Sequence, residues 1–260
     1  MTRICRMRAL ITNDDGFDSP GLKLLREFVL SIGFLETITV APKTNRTASS
    51  HAVSLDKKLK IEEIAENVFS VDGTPADCVI TAFHDPRLTK NGVPDVVFSG
   101  VNIGANLGID TIYSGTIAAA MQGMLSGTAS FAFSQFYSSS PNTMSWNIDN
   151  PHIKKYILSM LEKVDILKNC VLNINIPECQ VIGVKHVPQY SNIDVRNKKE
   201  SAIRARPHEE ENEKYVTIEA TSSPQFCEFL RSGYVTVTPV GCDLTHYAAL
   251  KFLDKSSSLV

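Results

Sequence analysis

Three times in the first 108 residues an apolar run stops abruptly at a polar cluster that cannot continue it. Arg8-Ala9-Leu10-Ile11-Thr12 runs into Asn13-Asp14-Asp15-Gly16. Thr37 to Val40, closed by Ala41-Pro42, is followed by Asn45-Arg46-Thr47-Ala48-Ser49-Ser50-His51. Asp95-Val96-Val97-Phe98-Ser99 gives way to a loop rich in glycine and asparagine, Gly100 to Gly108. Short apolar runs bounded by turn formers are buried strands. Between the first two, Ser19-Pro20 is a helix start, with serine at the cap and proline at the first helical position. Leu22, Leu25, Phe28 and Val29 then recur at helical spacing. Strand, helix, strand at this interval predicts parallel strands joined by right-handed crossovers.

The alternation continues. Lys57 to Ile64 and Val68 to Val71 read as strands, paired as a hairpin with charged outward positions. Thr74-Pro75-Ala76-Asp77 is a capping box. Ser114-Gly115-Thr116 opens a helix to about Ser126, Ala129 to Ser134 is a strand, and Pro151 to Lys163 is a surface helix. Val171 to Ile176 then completes the sheet. The pattern predicts an α/β fold: a doubly wound, mostly parallel sheet of three-layer, Rossmann-like type. The 260 residues form one domain, with a core at 7–182 and a C-terminal extension at 183–260. Within that extension, Asn192 to Lys214 is dense in Arg, Lys and Glu and reads as a projecting, solvated arm. The tail at Ser256 to Ser258 is expected to fray.

Composition narrows the partners. With 43% hydrophobic residues and a net charge of −2, the chain can bury a core but has no positive field to gather nucleic acid or anionic membrane. No apolar run approaches the roughly 18 residues of a membrane span. The six cysteines form no CxxC pair, which argues against a disulfide framework or a zinc knuckle. Cys78 and Cys170 sit in apolar runs and are expected as buried thiols. The first residues lack a signal-peptide core, so a cytoplasmic location is expected.

Ligands of open α/β sheets bind beyond the carboxyl ends of the strands, and the three polar clusters all point to that edge. Asp14 and Asp15 are adjacent carboxylates that repel unless a cation or proton lies between them. Such oxygens suit Mg²⁺, Mn²⁺ or Ca²⁺. A hydroxyl from Thr47 or Ser49 and the amide oxygen of Asn102 could complete the set. Alone, an Asp-Asp pair is better explained by an Asx-turn with one solvated carboxylate; the convergence of oxygen-rich loops reverses that in favour of the cation. The helix start at Ser114 to Thr116 offers backbone amides and a dipole to an anion. His51 is a proton donor, a phosphate contact or a structural residue, and Arg46 offsets carboxylate or phosphate charge. No GxxxxGK[ST] or GxGxxG occurs. Nothing reads a base: Tyr113 is the nearby aromatic, and core packing explains it equally well.

In order along the chain, Met7 to Gly16, Val40-Ala41-Pro42 with Asn45-Arg46, Gly73 to Cys78, Ser99 to Gly104 and Tyr113 to Thr116 resemble the SurE (survival protein E) family. Leu172 to Pro177 is a weaker match. The resemblance implies a metal-dependent phosphatase acting on nucleoside 5′- and 3′-monophosphates. One Mg²⁺ or Mn²⁺ per subunit would be held by Asp14, Asp15, Thr47 and Asn102, with Thr47 standing where the family usually has serine. Asp14, Asp15 and Asn102 are the expected catalytic residues. Asn45, Arg46, His51, Ser114, Gly115 and Thr116 are expected on the phosphate. A metal-activated water would attack in a single step. The alternatives are a nucleotide or phosphate sensor without turnover, and a phosphatase for another small phosphoester. The resemblance also implies a homodimer or homotetramer built through the C-terminal part. Asp243-Leu244-Thr245-His246 lacks the spacer of the family's Asp-Leu-Thr-x-His run, which puts a role for His246 in question. Family proteins begin at the position of Met7, so Met1 to Arg6 reads as an extension or a misplaced start.

Overall fold

Ala9, Leu10 and Ile11 are wholly buried because β1 (Arg8–Thr12) lies inside a sheet covered on both faces. The computed structural model describes residues 3–138, 145–189, 203–210, 213–220, 228–247 and 249–251. β1 pairs in parallel with β2 (Glu36–Pro42) on one side and β5 (Val96–Ile103) on the other. Beyond β2 come β4 (Val68–Val71), parallel to it, and β3 (Ile61–Ala65), antiparallel to β4 as the expected hairpin. Beyond β5 come β6 (Ala129–Gln135) and β7 (Val171–Ile176), both parallel. The chain builds outward from β1 to one edge and then returns to build from β5 to the other. The strand order therefore reverses between β1 and β5, which opens a crevice at their carboxyl ends.

Alternate residues of β1 serve opposite layers. Ala9 and Ile11 face α1 (Pro20–Leu30) and α5 (Pro151–Leu161), in a cluster with Phe28, Phe98, Phe131 and Ile157. Leu10 faces the other way, with Val40, Val79, Val97 and Ala119 beneath α2 (Pro75–His84) and the helix at Gly115–Leu125. The helix starts are as expected. Ser19 Oγ accepts from the Leu22 N–H. Thr74 and Asp77 exchange the two bonds of a capping box, at 3.1 and 2.9 Å. Among the described residues no helix is long and apolar enough to cross a membrane.

The structure departs from the sequence reading at several places. The sheet does not end at β7. A strand at Tyr234–Val240 pairs antiparallel with β7, and one at Gly183–His186 pairs in parallel with it in turn. Val235 and Val237 alternate with threonines, which shows a strand but not its partner. The surface helix stops at Leu161, short of Lys163, and a 3₁₀ stretch at Val164–Asn169 follows. Cys78 is buried, and burial pushes its thiol well above the usual range, but Cys170 is only half-buried. Of the charged stretch at 192–214, residues 203–210 pair antiparallel with 213–220 in a separate two-stranded sheet. Residues 192–202 and the tail at 256–258 lie outside the described residues.

α1 approaches β5 so closely that a Cβ on Gly21 would lie 2.0 Å from the carbonyl oxygen of Val101. Backbone cannot yield as a flexible side chain can. Gly21→Ala is therefore expected to destabilise the fold by about 3 kcal/mol, despite alanine's better helix propensity. Urea unfolding checks this, and wild-type stability would show that α1 can move aside.

Candidate active site

At the end of β1 the chain turns sharply. Asn13 is fully buried and donates Nδ2 to the Gly16 carbonyl at 3.0 Å and to Ser19 Oγ at 2.8 Å. Gly16 completes the turn at φ +105°. The turn sends the two carboxylates different ways. Asp14, 2% exposed, reaches the start of the helix at Gly115–Leu125, where Thr116 Oγ1 donates to its Oδ1 at 2.5 Å. Asp15 points toward the end of β5, where the Ile103 backbone steadies it.

Both carboxyls are raised in pKa. Burial pushes Asp14 from its usual 3.8 to about 6, the charge of Asp15 adds to that, and Thr116 opposes it. Burial also raises Asp15. Among the described residues several polar atoms here have no partner: Asn13 Oδ1, Asp15 Oδ2 and Ser49 Oγ, with Thr12 Oγ1 and Ser99 Oγ opposite one another on β1 and β5. Each such group costs on the order of 1–3 kcal/mol. Asn13 Oδ1 and Asp15 Oδ2 are acceptors, so a cation satisfies them directly. Among the described residues no three His, Cys, Asp or Glu side chains gather as a metal-binding group. A cation here would draw on two carboxylates plus neutral amide and hydroxyl oxygens. That donor set fits a hard divalent ion such as Mg²⁺ or Mn²⁺ rather than zinc.

The second polar cluster folds over this pair. The Arg46 N–H donates to the Asp14 carbonyl at 2.7 Å, and Asn45 Oδ1 accepts from the Thr47 N–H at 2.7 Å. Asn45 and Thr47 are both exposed at the rim. Ser49 turns inward: a Cβ placed on Gly115 would be 3.0 Å from both Ser49 Oγ and Asp14 Oδ2. The loop hydroxyl packed on Gly115 beside Asp14 is thus one the sequence offered as an alternative to Thr47. Ser50 ties the loop to a short helix, α3 (Asp110–Tyr113), through its N–H to the Tyr113 carbonyl at 3.0 Å and its Oγ to the Ile112 carbonyl at 2.7 Å. The Gly115–Leu125 helix is α4.

The remaining expected residues are placed as follows. The Arg46 guanidinium is engaged by Asp72 at 3.1 Å and the Gly73 carbonyl at 3.2 Å, which pins the loop to the start of α2. His51 Nε2 lies 3.1 Å from Gln122 Oε1 on α4. Ser114 caps α4 with its hydroxyl, accepting from the Ile117 N–H at 3.1 Å. Thr116 brings a hydroxyl to Asp14 where the sequence reading used its backbone alone. Asn102 lies just past a register shift between β5 and β6 and donates Nδ2 to the Gly104 carbonyl at 2.8 Å. His246 Nδ1 accepts from the Ala249 N–H at 3.0 Å, within its own turn.

One support was missed in the sequence. Asn106 is buried where the third cluster crosses β6 and β7. Its N–H donates to Asn175 Oδ1 at 2.8 Å, and its Nδ2 donates to Ser134 Oγ at 2.8 Å. Its carbonyl accepts from Asn173 at 2.8 Å and Asn175 at 3.2 Å. This network anchors the loop leading to α3 and α4. The signal was two asparagines at i and i+2 in Leu172-Asn173-Ile174-Asn175-Ile176, on one face of a buried strand.

A profile of the survival protein SurE family matches residues 9–199. The 5′-nucleotidase SurE of Campylobacter jejuni subsp. jejuni is 37% identical over 259 residues, covering 95% of this chain and 96% of that protein. The 5′-nucleotidase SurE of Vibrio vulnificus is 34% identical, covering 95% and 94%. The crystal structure of the SurE protein from Aquifex aeolicus matches with a TM-score of 0.73 at 30% identity, over 96% of this chain and 99% of that one. Since the profile spans most of the chain and the relatives align along nearly all of it, the chain belongs to the survival protein SurE family.

Proposed function

We propose that the chain is a divalent-metal-dependent 5′-nucleotidase that hydrolyses nucleoside 5′- and 3′-monophosphates to nucleoside and phosphate. The observation that carries this reading is the adjacent pair of buried Asp14 and half-buried Asp15, with oxygens around it that have no partner among the described residues, at the crevice where the strand order reverses. The similarity to proteins named 5′-nucleotidase supports the substrate class. Asp14, Asp15 and the Asn102 amide oxygen would hold Mg²⁺ or Mn²⁺, joined by a hydroxyl from Thr47 or Ser49. When bound, the ion supplies positive charge for the phosphoryl oxygens and acidity for a water.

The chain's own groups do the rest. Thr116 fixes the Asp14 carboxyl, and the Asp15 carboxyl is steadied by the Ile103 backbone. The amino end of α4 directs backbone N–H groups and the helix dipole toward a phosphoryl oxygen. The loop at 45–51, clamped to Asp14, Asp72 and α3, closes one side of the site. A homodimer or homotetramer in the cytoplasm belongs to the same reading.

The test is phosphate release from AMP by chelator-stripped protein, before and after Mn²⁺ is added. Release is expected only with the metal. Unchanged release after stripping would overturn the metal dependence. No release from AMP or any simple phosphomonoester by folded, metal-loaded protein would leave a phosphate sensor instead.

A further inference from the structure

Three apolar side chains stand exposed next in sequence to residues of the carboxylate site, on two different elements. Ile103, 38% exposed, ends β5 directly after Asn102. Ile112 and Tyr113, 62% and 39% exposed, end α3 directly before Ser114 and Gly115, the residues that meet Asp14. Core packing does not account for Tyr113. Its carbonyl is tied down by the Ser50 N–H at 3.0 Å, while among the described residues its ring and hydroxyl make no hydrogen bond or ring contact. Two Cα steps separate Tyr113 from Gly115, so the ring is rooted within about 7.6 Å of the helix residue packed against Asp14.

We infer that Ile103, Ile112 and Tyr113 form the platform for the nucleoside base, with the Tyr113 ring as the stacking surface. The inference rests on the proposed phosphomonoesterase reading, which places the phosphate at Asp14 and the start of α4. Whatever is esterified to that phosphate leaves the pocket past this rim. A flat aromatic base gains from stacking on a ring and covering aliphatic side chains, whereas a small polar alcohol gains little. Every base has such a face, so the platform selects nucleotides as a class and discriminates weakly among bases. Ser50 bonds to both Ile112 and Tyr113, which locks the platform to the loop over the carboxylates. Phosphate and base therefore bind to parts that move as one.

The test compares AMP with ribose 5-phosphate, which keeps the sugar and phosphate but lacks the base, on the metal-loaded full chain. Tyr113→Ala is expected to raise KM for AMP at least about fivefold with little change in kcat. Ribose 5-phosphate should be affected far less, and Tyr113→Phe should restore AMP. Equal losses on both substrates would mean that Tyr113 merely shapes the site, and no loss on either would remove it from recognition. A change in oligomeric mass by light scattering with KM for AMP unchanged would reassign the apolar rim to a contact between copies of the chain. AMP affinity by calorimetry is measured alongside. If wild type releases phosphate from neither compound, the phosphatase reading fails, while a Tyr113-dependent affinity for AMP over ribose 5-phosphate still decides the platform.

Discussion

Asp14→Asn is expected to abolish metal-dependent phosphate release and, without metal, to make the protein more stable. Both effects have one cause. The Asp14 carboxyl is buried beside a second carboxyl, and its pKa is raised from 3.8 to about 6. The folded state therefore holds a proton that the unfolded chain releases sooner. Stability from this group is full below about pH 4 and falls as pH rises toward 6, and the whole cost stands at pH 7. A rise of about two in pKa corresponds to about 3 kcal/mol. Asparagine has no charge to desolvate, and its oxygen can still accept from Thr116 Oγ1. Urea unfolding in chelator at pH 7.5 should show a gain of roughly 2–3 kcal/mol, shrinking toward pH 4.

Metal reverses the order. A ligand that binds only the folded state adds RT ln(1 + [L]/Kd), and wild type alone keeps the two-carboxylate site. With saturating Mn²⁺, kcat/KM of Asp14→Asn should fall by at least about 10³-fold. A variant within tenfold of wild type would place the chemistry elsewhere. The trade of stability for function is the one expected where groups are held against their solvation preference.

Gly115→Ala tests the packing between the loop and the carboxylate. In an ordinary helix this change is favourable by up to about 1 kcal/mol. Here the new Cβ would lie 2.7 Å from Asp14 Cβ and 3.0 Å from both Asp14 Oδ2 and Ser49 Oγ. The methyl cannot enter without moving the Asp14 side chain or the loop. A displacement near 1 Å at a reacting centre costs on the order of 10²-fold, so kcat/KM should fall by about that much. The Mn²⁺ concentration for half activity should rise as well, because a ligand has moved. Wild-type kinetics would show that Ser49 and Asp14 are not packed on Gly115 in the working enzyme.

The sequence by itself determined what is decided within a few residues. Helix caps at Ser19, Thr74 and Ser114 rest on bonds three residues long, and the buried strands rest on runs of adjacent apolar residues. With parallel connectivity, these were enough to send Asn13 to Gly16, Asn45 to His51 and the loop after β5 to one edge of the sheet, although Gly100 to Ile103, read as loop, continue β5 itself. The nature of the site, adjacent carboxylates among oxygen-rich loops, was legible for the same reason. Only the tertiary structure decided which groups meet there. Thr116 reaches Asp14 across 102 positions, Arg46 is taken by Asp72 rather than left facing the pocket, and Ser49 instead of Thr47 turns inward. It also decided that the sheet extends past β7 and that Tyr113 stays partly exposed. Such contacts depend on strand order and on how closely helices seat against the sheet. Those are set by the burial of the whole core, so no short stretch of residues carries them.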